Sequence, residues 1–99
     1  MASPNSIVVR KGCVSIEVLI TGSGLAVVIL PSLGRGANDY DVIAQFLVVD
    51  GYRVIRPQPR GIGESSGPME GLTLHNFAAD VALAMDHLET GPAVIVGHA

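Results

Sequence analysis

The sequence has little or none of several features that define other classes of protein. Its one cysteine, Cys13, cannot form an internal disulfide, and no cysteines and histidines cluster at metal-ligand spacing. Six Lys and Arg stand against nine Asp and Glu, so there is no basic surplus to bind a nucleic-acid backbone. No apolar run approaches the ~18 to 20 residues of a membrane span, and the N-terminus does not resemble a signal peptide. These absences predict a soluble, cytoplasmic chain that binds neither nucleic acid nor membrane and holds no metal.

The length is small for the apolar content. The chain has 99 residues, of which 48% are hydrophobic and 15% charged. That composition suffices for a buried core, but an α/β domain with helices on both faces of its sheet needs roughly 150 to 250 residues. We therefore expect residues 1–99 to form only part of a domain.

The first third of the chain is rich in strand patterns. Residues 6–9 and 14–20 are two β-rich runs, and residues 10–13 between them predict a hairpin turn. The run Leu25–Leu30 is apolar at every position, which is typical of a strand covered by helices on both faces. Residues 31–37 then form a loop.

Helices and strands alternate in the remainder. A helix is predicted from residue 38 or 39 to about residue 50, with apolar residues at helical spacing: Val42, Ile43, Phe46 and Leu47. A short strand follows at Tyr52–Arg56, and residues 60–71 form a polar loop. Thr73 can cap a second helix with an apolar stripe at steps of three and four: Leu74, Phe77, Val81, Met85 and Leu88. The last strand is Ala93–Val96. The order β-β-β-α-β-α-β predicts a parallel sheet with right-handed crossovers after the hairpin.

Three loops in this order carry motifs. Pro31-Ser32-Leu33 follows the third strand, Arg60-Gly61-Ile62-Gly63-Glu64-Ser65 follows the fourth, and Gly97-His98-Ala99 follows the fifth. Together they resemble the signature loops of the α/β-hydrolase family: an oxyanion-hole loop, an R-G-x-G-x-S loop and the start of the G-x-S-x-G nucleophile elbow. The first loop lacks the family's His-Gly pair, and Pro57-Gln58-Pro59 stands where the family often has Pro-Asp-Leu. The resemblance spans about residues 14–99.

The resemblance implies an α/β-hydrolase fold, with an N-terminal β-hairpin followed by a parallel sheet that has helices on both faces. Residues 1–99 would be the N-terminal part of a single domain and would end at the nucleophile elbow. In the family the catalytic acid and histidine follow the nucleophile, so we expect neither in this chain. We also expect a second polypeptide to complete the domain.

Four residues receive roles from the resemblance. The backbone N–H of Leu33 would donate to the oxyanion, and Ala99 would occupy the nucleophile position. Ser32 and His98 would bind the substrate. The implied substrates are esters, amides or related small carbonyl compounds, with no cofactor. Since alanine has no hydroxyl, the chain is expected to be inactive on its own.

The alanine leaves two origins and two functions open. Ala99 can be an engineered replacement of a serine or aspartate, or a natural variant that has lost nucleophilic catalysis. The whole protein can accordingly be an altered enzyme or a non-catalytic α/β-hydrolase that binds a ligand.

Nucleotide binding is a rival hypothesis. Gly34-Arg35-Gly36 lies between a buried strand and a helix, as the phosphate turn of a dinucleotide fingerprint does, and Arg56 could read a 2′-phosphate. The fingerprint fails at its third glycine, where Asp39 would repel a pyrophosphate. The sequence therefore favours the hydrolase interpretation.

The other ionisable residues on the second helix have structural interpretations. His75 and His87 are twelve positions apart and are expected on a solvated face. Asp80 and Asp86 are expected to be exposed or partly buried carboxylates without a catalytic role.

Overall fold

The structure is a computed structural model that describes residues 5–31 and 36–97, apart from the side chain of Asn38. The strands and helices of this part, in chain order, are β1 Asn5–Lys11, β2 Val14–Thr21, β3 Leu25–Leu30, α1 Asp41–Val49, β4 Tyr52–Pro57, α2 Leu74–Leu88 and β5 Val94–Gly97. A 3₁₀ turn, Ala37–Tyr40, leads directly into α1. The predicted order of elements is confirmed.

The strands form one mixed sheet in the order β1-β2-β4-β3-β5. β1 and β2 form the predicted hairpin, and β2 also pairs antiparallel with β4. β3 pairs parallel with both β4 and β5. The predicted fold class, a hairpin followed by parallel strands with helices, is therefore confirmed.

The hairpin is longer than its sequence pattern indicates. Arg10 pairs with Ser15 and Lys11 pairs with Val14, so the turn itself consists only of Gly12 and Cys13. Gly12 takes a positive φ of 60°, which glycine adopts without strain. The polar residues Arg10 and Lys11 belong to β1 because β1 is an edge strand in the described part of the sheet and its end positions are exposed to solvent.

The two helices cover opposite faces of the sheet. On one face Val27, Ile29 and Val54 pack against Ala44 of α1. On the other face a larger core joins α2 to four strands, and its buried members are Val9, Ile16, Val18, Ala26, Val28, Ile55, Val81 and Ala84. Consecutive residues of β3 alternate between these two cores, as a strand covered on both sides requires.

The apolar stripe predicted for α1 is wrong for most of its members. Val42, Ile43 and Phe46 are exposed, with 66%, 51% and 70% of their surface accessible. The side of α1 that faces the sheet carries Ala44, with Leu47 and other partly buried residues around it. Apolar residues of α1 lie all around its circumference, so their spacing in the sequence does not identify the face that packs against the sheet. The small side chain of Ala44 lets the helix approach the sheet closely.

The second helix agrees with its pattern except at Leu74, which belongs to the predicted stripe but is 71% exposed. Thr73 caps the helix: its hydroxyl accepts a hydrogen bond from the N–H of Asn76, whose side chain accepts one from the N–H of Thr73. Val81 is buried, and Phe77 and Met85 pack beside it. Neither helix is long and apolar enough to cross a membrane, within the residues described.

Candidate functional site

The four residues with predicted site roles lie outside the described residues. They are Ser32, Leu33, His98 and Ala99. Their roles therefore stay predictions, and the structure bears on the site through the strands that lead to these residues and through the side chains around them.

The two strands that lead to these residues end side by side. β3 and β5 are parallel neighbours, and Leu30, the last residue of β3, pairs with Gly97, the last of β5. Adjacent strands lie about 4.8 Å apart. The chain therefore leaves both strands at the same carboxyl edge of the sheet, which is where open α/β sheets bind ligands.

The R-G-x-G-x-S loop is fixed to α2 by an ion pair. The guanidinium of Arg60 donates from Nε to Oδ2 of Asp80 at 2.8 Å and from Nη2 to Oδ1 at 3.0 Å. A third bond runs from Nη1 to the carbonyl of Pro68. Only 9% of the Arg60 side chain and 6% of the Asp80 side chain are exposed. The expectation that Asp80 is an ordinary carboxylate is therefore wrong, because it is the buried partner of a bidentate pair.

This hydrogen bond also affects the ionisation of the arginine. The bond to Asp80 raises the pKa of Arg60 above its ordinary value, with a smaller opposing effect of burial. The charged guanidinium and the carboxylate thus favour each other, and the pair anchors the loop to α2.

Ser65, the serine of the same motif, fixes the other end of the loop. It is buried, its hydroxyl donates to the carbonyl of Gln58, and it accepts a hydrogen bond from the N–H of Glu17. The carboxylate of Glu17 in turn accepts from the N–H of Glu64 and from the hydroxyl of Ser6. The loop is therefore bound to β2 and contributes support for the site.

Arg56 points into the α1 side of the sheet near the end of β4. It is 2% exposed, and its Nη1 donates to the carbonyl of Ala37 at 3.2 Å and to Oδ1 of Asp41 at 2.6 Å. Within the described residues its Nε is buried and has no partner. An arginine held in this way cannot reach out to a nucleotide phosphate, so the geometry speaks against the rival hypothesis.

Gln58 binds the same stretch of main chain. Its Oε1 accepts a hydrogen bond from the N–H of Ala37 at 2.8 Å, and the residue is 7% exposed. The N–H of Ala37 is therefore bound by the side chain of Gln58, just after β4, and its carbonyl by the side chain of Arg56, within β4.

An open apolar cleft of about 380 Å³ lies between α2 and β5, on the side of the sheet that α2 covers. Its lining includes Leu30, Leu74, Phe77, Val81, Met85 and Ile95. Val94, Ile95 and Val96 of β5 are 44% to 61% exposed, so this end of the described sheet presents apolar surface.

The two histidines of α2 and the acidic side chains of residues 5–31 and 36–97 do not form a metal site. His75 and His87 are exposed on α2, as expected. In the described part of the chain no three His, Cys, Asp or Glu side chains are grouped so that they could hold a metal ion.

Three side chains around the site were not predicted as parts of it from the sequence: Arg56, Gln58 and Asp41. The sequence carries a signal for the first two. Arg56 interrupts the apolar stretch of β4 with a charge, and Gln58 stands where the family often has aspartate. A buried charged or amide side chain needs a partner, and here the partners are the backbone of Ala37 and, for Arg56, the carboxylate of Asp41.

Comparison with known proteins agrees with this geometry. A model of the α/β hydrolase fold matches residues 26–99. A non-heme chloroperoxidase from Streptomyces lividans is 39% identical over 75 residues, which are 76% of this chain and 27% of that protein. A bifunctional esterase/perhydrolase from Acinetobacter calcoaceticus is 34% identical over 62 residues, which are 63% of this chain and 22% of that protein.

The fold also has counterparts among solved structures. A bromoperoxidase from Bacillus anthracis superimposes with a TM-score of 0.87 and 27% sequence identity, covering 96% of this chain and 35% of that one. The chain spans about a quarter of the length of the curated relatives it matches. Since the family model covers well over half of the chain, the chain belongs to the α/β hydrolase fold family.

Proposed function

We propose that the chain supplies the N-terminal part of a hydrolase domain that acts on esters, amides or related small carbonyl compounds by nucleophilic acyl transfer. The observation that carries the proposal is the pairing of Leu30 with Gly97. Because of this pairing, the loop that contains Leu33 and the turn that contains Ala99 both begin at adjacent positions on one edge of the sheet. A relative named as an esterase/perhydrolase supports the ester class.

The proposed chemistry divides the work between two loops. A nucleophile at position 99 would attack the carbonyl carbon, and the carbonyl oxygen would gain negative charge. The N–H of Leu33 would donate a hydrogen bond to that oxygen, which stabilises the transition state more than the ground state. Ser32 and His98 would contact the substrate beside the reacting carbon.

Ala99 determines how much of this chemistry the present sequence can perform. Its methyl group cannot attack a carbonyl, and the acid and histidine of the family's catalytic set would have to come from outside residues 1–99. We therefore propose that this chain alone is inactive. The same alanine favours a second function, a non-catalytic ligand-binding protein that uses the pocket and the oxyanion donor without turnover.

Completion of the domain by a second polypeptide is part of the proposal. Support comes from the apolar cleft between α2 and β5 and from the exposed side chains of β5, which offer a strand edge and a groove to apolar elements of a partner. The chloroperoxidase it matches is nearly three times as long as this chain and holds sequence enough for such elements. A cytoplasmic location is also proposed, supported by the lone cysteine, Cys13, which is free.

The test is to introduce the missing hydroxyl. In the full-length protein, meaning this chain together with the polypeptide that completes the domain, Ala99→Ser should raise the hydrolysis of p-nitrophenyl esters by at least about 100-fold, because the other parts of such sites leave only residual catalysis. Acyl chains of two to eight carbons should be compared. Ala79→Ser, the same replacement on the exposed side of α2, is the matched control and should change nothing.

The result separates the two functions. A gain with Ala99→Ser supports the hydrolase, and a folded variant without any gain at any acyl length contradicts it. Saturable binding of a small ester or acid in that second case would favour the ligand-binding protein.

A further inference from the structure

We propose that Arg56 and Gln58 are positioning residues that fix the end of the loop after β3 by holding Ala37 at both of its backbone polar groups. The inference rests on the proposed function, since that loop contains Leu33. It assigns a role to two side chains that the family signature leaves without one.

The contacts make a two-point attachment. Gln58 accepts from the N–H of Ala37 at 2.8 Å, and Arg56 donates to its carbonyl at 3.2 Å. Ala37 is fully buried. Buried backbone groups need partners, and Ala37 receives one at its N–H and one at its carbonyl from side chains of β4 and of the residue that follows it. The position of Ala37 is therefore set by β4 and its continuation.

The attachment extends into α1. The guanidinium of Arg56 also binds Asp41, the first residue of α1, at 2.6 Å. A carboxylate at a helix N-terminus is favourable in itself, and the ion pair ties that terminus to the strand. One cation thus links β4, the end of the loop and the start of the helix.

The other end of Gln58 is anchored too. Its N–H donates to the carbonyl of Glu17 at 2.8 Å, and its carbonyl accepts from the hydroxyl of Ser65 at 2.9 Å. These bonds fix its main chain to β2 and to the R-G-x-G-x-S loop. Gly36 lies against the same amide, since a Cβ there would stand 3.8 Å from Oε1 of Gln58. The signature loop and the loop after β3 are therefore coupled through one residue.

The burial of Arg56 is costly, which indicates that its contacts have a structural role. A buried guanidinium loses hydration, and the Nε of Arg56 has no partner within the described residues. An apolar side chain at this strand position would avoid that penalty. The structure uses the arginine to hold Ala37 and Asp41, which an aliphatic residue could not do.

Positioning of this kind matters for an oxyanion donor. The donor acts because it is already in place when charge develops, and a misplacement of 1 Å can lower the rate by about 100-fold. Loss of the attachment should therefore lower kcat and leave KM nearly unchanged, because the donor is used mainly in the transition state.

The experiment uses the full-length protein carrying Ala99→Ser, with Gln58→Met and Gln58→Glu as a matched pair. Methionine keeps the size of the side chain and removes the acceptor, whereas glutamate keeps an acceptor for the N–H of Ala37. We expect Gln58→Met to lower kcat by about 10- to 100-fold with KM within about threefold, and Gln58→Glu to stay within about threefold in both. Arg56→Met should behave like Gln58→Met.

Two further measurements separate positioning from general damage. Thr73→Ala, which weakens the fold at the cap of α2 away from this loop, should leave kcat unchanged. Hydrogen exchange of the Ala37 amide, followed by NMR, should speed up by at least about tenfold in Gln58→Met and not in Gln58→Glu, because only the first loses the bond. The exchange measurement needs no activity.

The outcomes are distinct. If Ala99→Ser is active and Gln58→Met keeps its kcat, the inference is overturned and the proposed function stands. If Ala99→Ser is inactive, the proposed function fails, and with it the role of Arg56 and Gln58 in that function. If the exchange of the Ala37 amide is unchanged in Gln58→Met, the attachment itself is overturned. A fall in kcat with faster exchange, rescued by Gln58→Glu, supports it.

Discussion

Replacing Asp80 with alanine should destabilise the fold by about 3 kcal/mol, because it leaves the guanidinium of Arg60 buried without its carboxylate. The pair is bidentate, at 2.8 and 3.0 Å, and both side chains are less than one-tenth exposed. Breaking such a pair costs about 3 to 5 kcal/mol. The lower end applies here, because Arg60 keeps its hydrogen bond to the carbonyl of Pro68.

Urea unfolding of the full-length protein, followed by circular dichroism, measures this loss. Asp86→Ala is the matched control, since Asp86 is an exposed carboxylate on the same helix and its removal should change the free energy of unfolding by no more than about 0.5 kcal/mol. The double variant Arg60→Met with Asp80→Leu should recover most of the loss, because it leaves no charge unpaired.

The effect should not vary with pH near neutrality. The pKa of Arg60 is raised by Asp80, so the stability that this shift contributes is present below the ordinary pKa and is lost only as pH rises through the raised value. The difference between Asp80→Ala and the natural protein should therefore be the same at about pH 7 and about pH 9. A loss below about 1 kcal/mol, or a double variant as unstable as the sum of the single ones, would refute the reasoning.

Two further predictions concern backbone positions. Gly63→Ala should destabilise by about 2 kcal/mol, because Gly63 has a φ of 54° and an added Cβ would collide with the carboxylate of Glu17. Gly71→Ala is its control, because Gly71 has a φ of 69° and open space around it, so we expect only about 1 kcal/mol from backbone strain. Equal losses of unfolding free energy for the two variants in urea would refute the collision. Thr73→Ala should cost about 1 kcal/mol through loss of the helix cap, and Thr73→Ser should restore it; equal melting temperatures for the two would contradict the assignment.

The elements best predicted from the sequence were those with one dominant constraint. β3 is apolar on both faces and was placed correctly at Leu25–Leu30. The helix after Thr73 carries its cap and a stripe that one face buries, apart from the exposed Leu74, and its start agrees with the prediction. In both cases local pattern and burial point to the same answer.

The errors arose where tertiary packing selects between equal local patterns. α1 is apolar nearly all round, so periodicity could not choose the face with Ala44. Asp80 looked like an ordinary helix carboxylate because its partner, Arg60, lies 20 positions away in a loop. The attachment at Ala37 is likewise a contact between distant residues. The motif loops could be located from the sequence, but the side chains that support them could not.

The central proposal is that the edge formed by the ends of β3 and β5 brings position 99, the seat of a nucleophile in the family, and an oxyanion donor to one carbonyl. Labelling with a fluorophosphonate tests it most directly, because the reagent phosphonylates only an activated hydroxyl. In the full-length Ala99→Ser variant, the account predicts one added phosphonyl group by intact mass, mapped by peptide sequencing to position 99, and none in the natural sequence or in Ala79→Ser. A folded Ala99→Ser variant that takes up no label, or takes it up at another residue, would contradict the claim.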